Sequence, residues 1–144
     1  EETIIRLSRV GFDNILGHLK DSFDTWKNAG KEIDTVNRIT VEQFKNEVKI
    51  GASKIIDVRK ENEYNAEHLE TADNKPLDYI AERFSNIDDK NEFYIHCAGG
   101  YRSMMAASIL KARGIHNFKE VEGGFAAIAK TDLPKTNFVC QSKN

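Results

Sequence analysis

The stretch Tyr94-Ile95-His96-Cys97-Ala98-Gly99-Gly100-Tyr101-Arg102-Ser103 decides how this chain reads. An apolar run of strand composition ends in a cysteine. A loop with two glycines follows, then an arginine. A helix is expected from Ser103 to Arg113, with Ala106, Ala107, Ile109 and Leu110 on its apolar side. This order puts a thiol at the carboxyl end of a strand, where open parallel sheets form their sites. The helix start adds unpaired amides and the positive end of a dipole. A thiolate is an anion, so its pKa is expected below the free value of about 8.5. Arg102 adds a fixed positive charge. Gly99 and Gly100 let the backbone amides converge, and Ser103 can cap the helix or donate to a bound group.

The segments on either side support the same architecture. Thr40 with Gln43 reads as a capping box opening a helix that turns Val41, Phe44 and Val48 inward and ends at Gly51. Lys54-Ile55-Ile56-Asp57-Val58 has the composition of a strand buried on both faces. Leu77, Ile80, Ala81 and Phe84 have helical spacing. Phe93 to His96 is the second strand and Phe118 to Val121 the third. Gly114 suits the residue just past a helix end, and Gly123-Gly124 turn the chain into a last short helix. Strands alternating with helices predict an α/β fold with a parallel central sheet flanked by helices.

The 144 residues suffice for one domain with a core. Hydrophobic content of 40% and charged content of 31% fit a globular chain. A net charge of -2 with no basic run argues against nucleic acid, and no apolar stretch approaches the ~20 residues of a membrane span. A cytoplasmic location and a reducing compartment are expected, because the two cysteines, Cys97 and Cys140, make no disulfide framework. No metal-ligand cluster is present, so neither a metal nor a cofactor is expected.

An early segment of the chain echoes a later one. Gly11, Asn14 and Phe23 match Gly114, Asn117 and Phe125 at offsets of 103, 103 and 102 residues. Residues 1–36 therefore read as the tail of a preceding repeat or as a linker, residues 37–138 as the complete domain, and residues 139–144 as a C-terminal tail. Ile4, Ile5, Leu7, Phe12, Leu16, Phe23 and Trp26 are expected to need cover from the main domain or a second chain.

The other polar candidates have mainly structural readings. His96 precedes Cys97 on a strand, so it points to the opposite sheet face and reads as a core histidine. Asp57 reads as structural. Arg59 either orients the loop or pairs with Asp57 and Glu63, and His68 reads as fixing its own loop. Cys97 to Arg102 is C-x4-R. Cysteine phosphatases use C-x5-R, and the shorter loop makes a smaller cradle, suited to a sulfur atom rather than a phosphoryl group.

The chain resembles the rhodanese domains of sulfurtransferases over most of residues 38–138. Ile56-Asp57-Val58-Arg59 is similar to that family's first signature. Glu63-Tyr64 with His68-Leu69 is similar to its E-Y-x-x-G-H-I segment, and Pro76-Leu77 to N-I-P-L. Cys97 to Ser103 matches C-x-x-G-x-R-S, and Val121 to Gly124 resembles the V-x-x-L-x-G-G ending. Glu67, Glu70 and Thr71 replace the usual Gly, Pro and Gly. Ile128 replaces a common tryptophan, which Trp26 keeps in the first copy.

The resemblance implies a rhodanese-like three-layer fold. It implies Cys97 as the sulfur-carrying nucleophile, with Ala98, Gly99, Gly100, Tyr101, Arg102 and Ser103 holding the persulfide. The implied activity moves sulfane sulfur from thiosulfate or a low-molecular-weight persulfide to a thiol or cyanide. Arg102 is the loop's sole cation, so thiosulfate is expected to be a poor donor. The chain also resembles the C-terminal part of bacterial proteins in which a metallo-β-lactamase-like domain precedes rhodanese-like repeats. Such a domain is accordingly an expected upstream partner. The alternative reading is a non-catalytic or sulfur-relay interaction module of such a protein.

Overall fold

Five parallel strands form one sheet in the order β1-β5-β4-β2-β3 in a computed structural model. They are β1 (Arg38–Ile39), β2 (Lys54–Asp57), β3 (Ala72–Asn74), β4 (Phe93–His96) and β5 (Phe118–Val121). Among the described residues seven helices accompany them: α1 (Glu2–Ser8), α2 (Ser22–Asn28), α3 (Val41–Ile50), α4 (Glu61–Ala66), α5 (Ile80–Arg83), α6 (Tyr101–Ala112) and α7 (Gly124–Ile128). The structure describes residues 2–8, 11, 14–50, 54–83, 87 and 90–139. The chain divides into two units, residues 1–35 and 36–144.

In the second unit the order of strands places the site. After β2 the chain adds β3 on one side; after β4 it adds β5 on the other. The strand order thus reverses between β2 and β4, whose last residues, Asp57 and His96, lie in register. A crevice opens at such a reversal, beyond the carboxyl ends of the strands. Cys97 and Val58 leave the sheet there side by side, joined by Val58 N–H donating to His96 O at 2.9 Å.

Period-two alternation divides the core between the two faces. Ile56, Phe93, Ile95, Cys97 and Phe118 pack with Ala106, Ala107 and Leu110 of α6. Ile55, Tyr94 and Val121 pack with Phe44 of α3 and Phe125 and Ile128 of α7. Helices on both faces of a parallel sheet give the expected three-layer α/β architecture. The capping box opening α3 is present: Thr40 N–H donates to Gln43 Oε1 at 3.1 Å and Gln43 N–H to Thr40 Oγ1 at 3.3 Å.

Three details depart from the sequence reading. β1 and β3 join the three expected strands; they are only two and three residues long, too short to show a period. Helix α6 begins at Tyr101 rather than Ser103, because Gly100 adopts φ 110° as its N-cap. The segment with helical spacing from Leu77 is a 3-10 turn (Leu77–Tyr79) running into the four-residue α5. Gly51, Phe84 and Cys140 lie outside the described residues.

In the first unit, α2 buries none of its residues. Ile4, Ile5, Leu16, Phe23 and Trp26, expected to be covered, are 41–94% exposed. Phe12 and the side chain of Leu7 lie outside the described residues.

Candidate active site

Cys97 is a free thiol, 1% exposed, one residue past β4. Gly100 N–H donates to its Sγ at 3.2 Å, and Ser103 Oγ lies 3.4 Å from the same atom. Burial pushes the thiol up. The Ser103 hydroxyl and the amides of Ser103, Gly100 and Gly99 outweigh it, so the thiol lies below its ordinary value. The cradle is the first turn of α6 plus a glycine turn, which is the arrangement the spacing predicts.

Residues 97–103 occupy one loop and helix start, but their side chains do not all converge. Tyr101 is 80% exposed. Ser103 is buried, and its single proton has three acceptors in reach: Glu120 Oε1 at 2.6 Å, Gly100 O at 3.0 Å and the sulfur. Arg102 is held elsewhere. Its Nη1 and Nη2 donate to Glu63 Oε2 and Oε1 at 2.5 and 2.8 Å. Arg102 holds the Glu63 carboxyl below the usual carboxylate range, against its burial. Hydrogen bonding to Glu63 raises Arg102, and the Cys97 charge adds a smaller push in the same direction. Glu63 therefore pairs with Arg102 rather than with Arg59.

One residue essential to this geometry was not singled out by the sequence, and a second was read there only as part of a turn and a motif. Glu120, fully buried, faces the α6 side of β5 and accepts from Ser103 and from Arg38 Nε at 2.9 Å. Its signal was a carboxylate alternating with Val121 in a buried strand. Gly124 starts α7 against the loop. A Cβ there would lie 2.4 Å from Cys97 O. The bare backbone lets Phe125 N–H donate to Cys97 O at 2.7 Å and Ala126 N–H to Ala98 O at 2.9 Å. Paired glycines were read as a turn, and the close approach is what requires the second of them.

The remaining candidates have supporting roles. Asp57 accepts from Arg59 N–H at 2.9 Å and Arg59 Nε at 2.8 Å. Arg59 also donates to Glu67 O at 2.8 Å and lies 3.9 Å over the Phe125 ring. It thereby links β2, the 60s loop and α7. His96 is fully buried, with Nδ1 3.3 Å from Cys97 O and Nε2 without a partner. Burial lowers its pKa, beyond what Asp57 and the carbonyl restore, so a neutral ring with its proton on Nδ1 fits the site. His68 stacks on Tyr64 at 3.6 Å, and its backbone N–H donates to Thr136 Oγ1 at 3.1 Å, fixing its loop. No cluster of metal-ligating side chains occurs among the described residues. No helix among them is long and apolar enough to cross a membrane.

The chain is 37% identical over 87 residues to the thiosulfate sulfurtransferase PspE of Escherichia coli (strain K12), covering 59% of this chain and 80% of that protein. It is 32% identical over 96 residues to YrkF of Bacillus subtilis (strain 168), covering 66% of this chain and 50% of YrkF. The chain thus spans about half the length of that relative. A rhodanese-like domain protein from Staphylococcus aureus superposes with a TM-score of 0.63 at 31% identity, over 68% of this chain and 96% of that one. The family described as "Rhodanese-like domain" matches residues 40–131, and the chain belongs to it.

Proposed function

We propose that residues 36–139 form a sulfurtransferase that carries sulfane sulfur as a Cys97 persulfide. The observation carrying this reading is a buried thiol whose Sγ accepts Gly100 N–H at 3.2 Å and lies 3.4 Å from Ser103 Oγ, donors that act to lower its pKa. Those donors stabilise negative charge on sulfur in the free thiolate and in the persulfide alike. In the first half-reaction Cys97 Sγ attacks the outer sulfur of a donor. A new S–S bond forms, the donor's own bond to that sulfur breaks, and its electron pair leaves with the remainder, sulfite in the case of thiosulfate. A thiol or cyanide then takes the outer sulfur, and the electron pair of the persulfide bond returns to Sγ. Similarity to a thiosulfate sulfurtransferase supports the reading.

The test is the intact mass of the reduced protein after thiosulfate and, separately, after glutathione persulfide. One added sulfur, removed by cyanide and absent from Cys97→Ser, is expected. No adduct from either donor would favour the interaction-module reading, in which the fold docks a partner or another part of a longer chain. A metallo-β-lactamase-like domain upstream belongs to that longer-chain reading. Its support is the internal parallel between residues 11–28 and 114–128. Cys97 alkylation by iodoacetamide, followed against pH, is expected to have its midpoint below about 8.5; a midpoint at or above that value would remove the activated nucleophile.

A further inference from the structure

Arg102 is the only charged residue among 97–103, so an anionic donor has one loop cation to use. That cation is already occupied. Both of its terminal nitrogens lie on the two oxygens of Glu63, a bidentate geometry that matches how guanidinium binds an oxyanion. Glu63 is fixed from behind, because its Oε2 also accepts Lys60 N–H at the start of α4. The pair is 28% and 33% exposed, so it can be opened from solvent. The arginines supporting the loop offer no replacement. Arg59 is on Asp57 and Arg38 is on Glu120.

We infer that Glu63 is a specificity-determining residue, a built-in carboxylate that fills the anion position of Arg102 and disfavours doubly charged donors. A dianion such as thiosulfate must either displace Glu63 or approach a neutral pair with a carboxylate at its rim. A donor with one negative charge, such as an organic persulfide or thiosulfonate, loses less. The chemistry selected is therefore a sulfane sulfur carried on an organic group of low charge. This inference rests on Cys97 acting as the sulfur carrier.

The experiment compares thiosulfate with benzenethiosulfonate, which delivers the same outer sulfur from a monoanion. Glu63→Gln is expected to lower the KM for thiosulfate about tenfold, the size of one modest charge interaction, and to shift the KM for benzenethiosulfonate less than about twofold. Glu63→Asp keeps the charge and is expected to keep the wild-type ranking. Equal KM shifts for both donors, or a fall in kcat alone, would make Glu63 a clamp between α4 and α6 and overturn the inference. Wild-type protein provides a second measurement that needs no variant. Sulfate is expected to inhibit persulfide formation no more strongly than methanesulfonate; a roughly tenfold advantage for sulfate would show Arg102 free for dianions. Absence of persulfide from both donors in the wild type overturns the carrier reading as well. Persulfide from both without charge discrimination overturns only the role of Glu63.

Discussion

Residues 11–28 and 114–128 take similar turns and meet opposite fates. Gly11 and Gly114 have φ of 91° and 81°. Asp21-Ser22 have φ of 57° and 49°, and Gly123-Gly124 have 74° and 53°. A short helix follows each pair, with Phe23 or Phe125 at its second position and Trp26 or Ile128 at its fifth. Phe125 and Ile128 are 8% and 0% exposed, whereas Phe23 and Trp26 are 57% and 46% exposed. Local sequence sets the turn, and a sheet sets the burial. Phe125 packs with Ile55, Tyr94 and Val121 of the sheet, and its amide donates to the loop carbonyl of Cys97 at 2.7 Å.

The largest expected break in this comparison is at the second residue of each turn. Gly124→Ala drives a methyl group into Cys97 O and Ala98, at a φ that side chains resist. It should cost about 3 kcal/mol or more in chemical denaturation and remove persulfide formation. Ser22→Ala should cost under ~0.5 kcal/mol; comparable losses at the two sites would show that approach to the loop is not what Gly124 provides.

Next come the aromatic residues. Phe125→Ala should destabilise residues 36–139 by about 3 kcal/mol through a cavity beside Arg59 and His96. Phe23→Ala should change stability by less than ~0.5 kcal/mol. The sole tryptophan, Trp26, reports the first unit by fluorescence, and circular dichroism is dominated by the second. A large loss in Phe23→Ala would mean that the first unit buries this ring in solution.

A smaller effect follows from His96. Its folded pKa is depressed by burial below an unfolded value near 6.5, so above that pH neither state binds the proton. Below it the unfolded chain gains a proton that the folded chain resists, and stability falls with acid. Between pH 7.5 and 5.5 the wild type should lose about 1 kcal/mol more than His96→Gln. Parallel losses would assign the acid sensitivity to other groups. The smallest expected effect is at Asp21, where Gly relieves a left-handed backbone. Amide exchange in α2 should slow by about twofold in Asp21→Gly, and faster exchange would contradict a strained turn.

The same contrast explains what the sequence could reveal. Cys97, its glycines and the following helix are consecutive, and their roles rest on local backbone chemistry. The strands β2, β4 and β5 were legible because buried parallel strands are apolar runs. Strands β1 and β3 were not, because each is defined by a partner, β5 or β2, rather than by its own composition. Glu63 was visible as part of a motif, yet its partner Arg102 stands 39 residues away. Glu120 meets Ser103 across 17 residues and Arg38 across 82, pairings that one sequence does not display.

The bonds from Phe125 and Ala126 to the backbone of Cys97 and Ala98 also set an order of events in biosynthesis. On a growing polypeptide the thiol emerges well before the amides that fix its loop. β1 likewise waits for β5, which inserts between it and β4. Synthesis must therefore run past Ala126 before the cysteine has its mature surroundings. Until then the carbonyls of Cys97 and Ala98 lack the amides that hold them, and a product ending short of that residue would keep the thiol in a loop without that support.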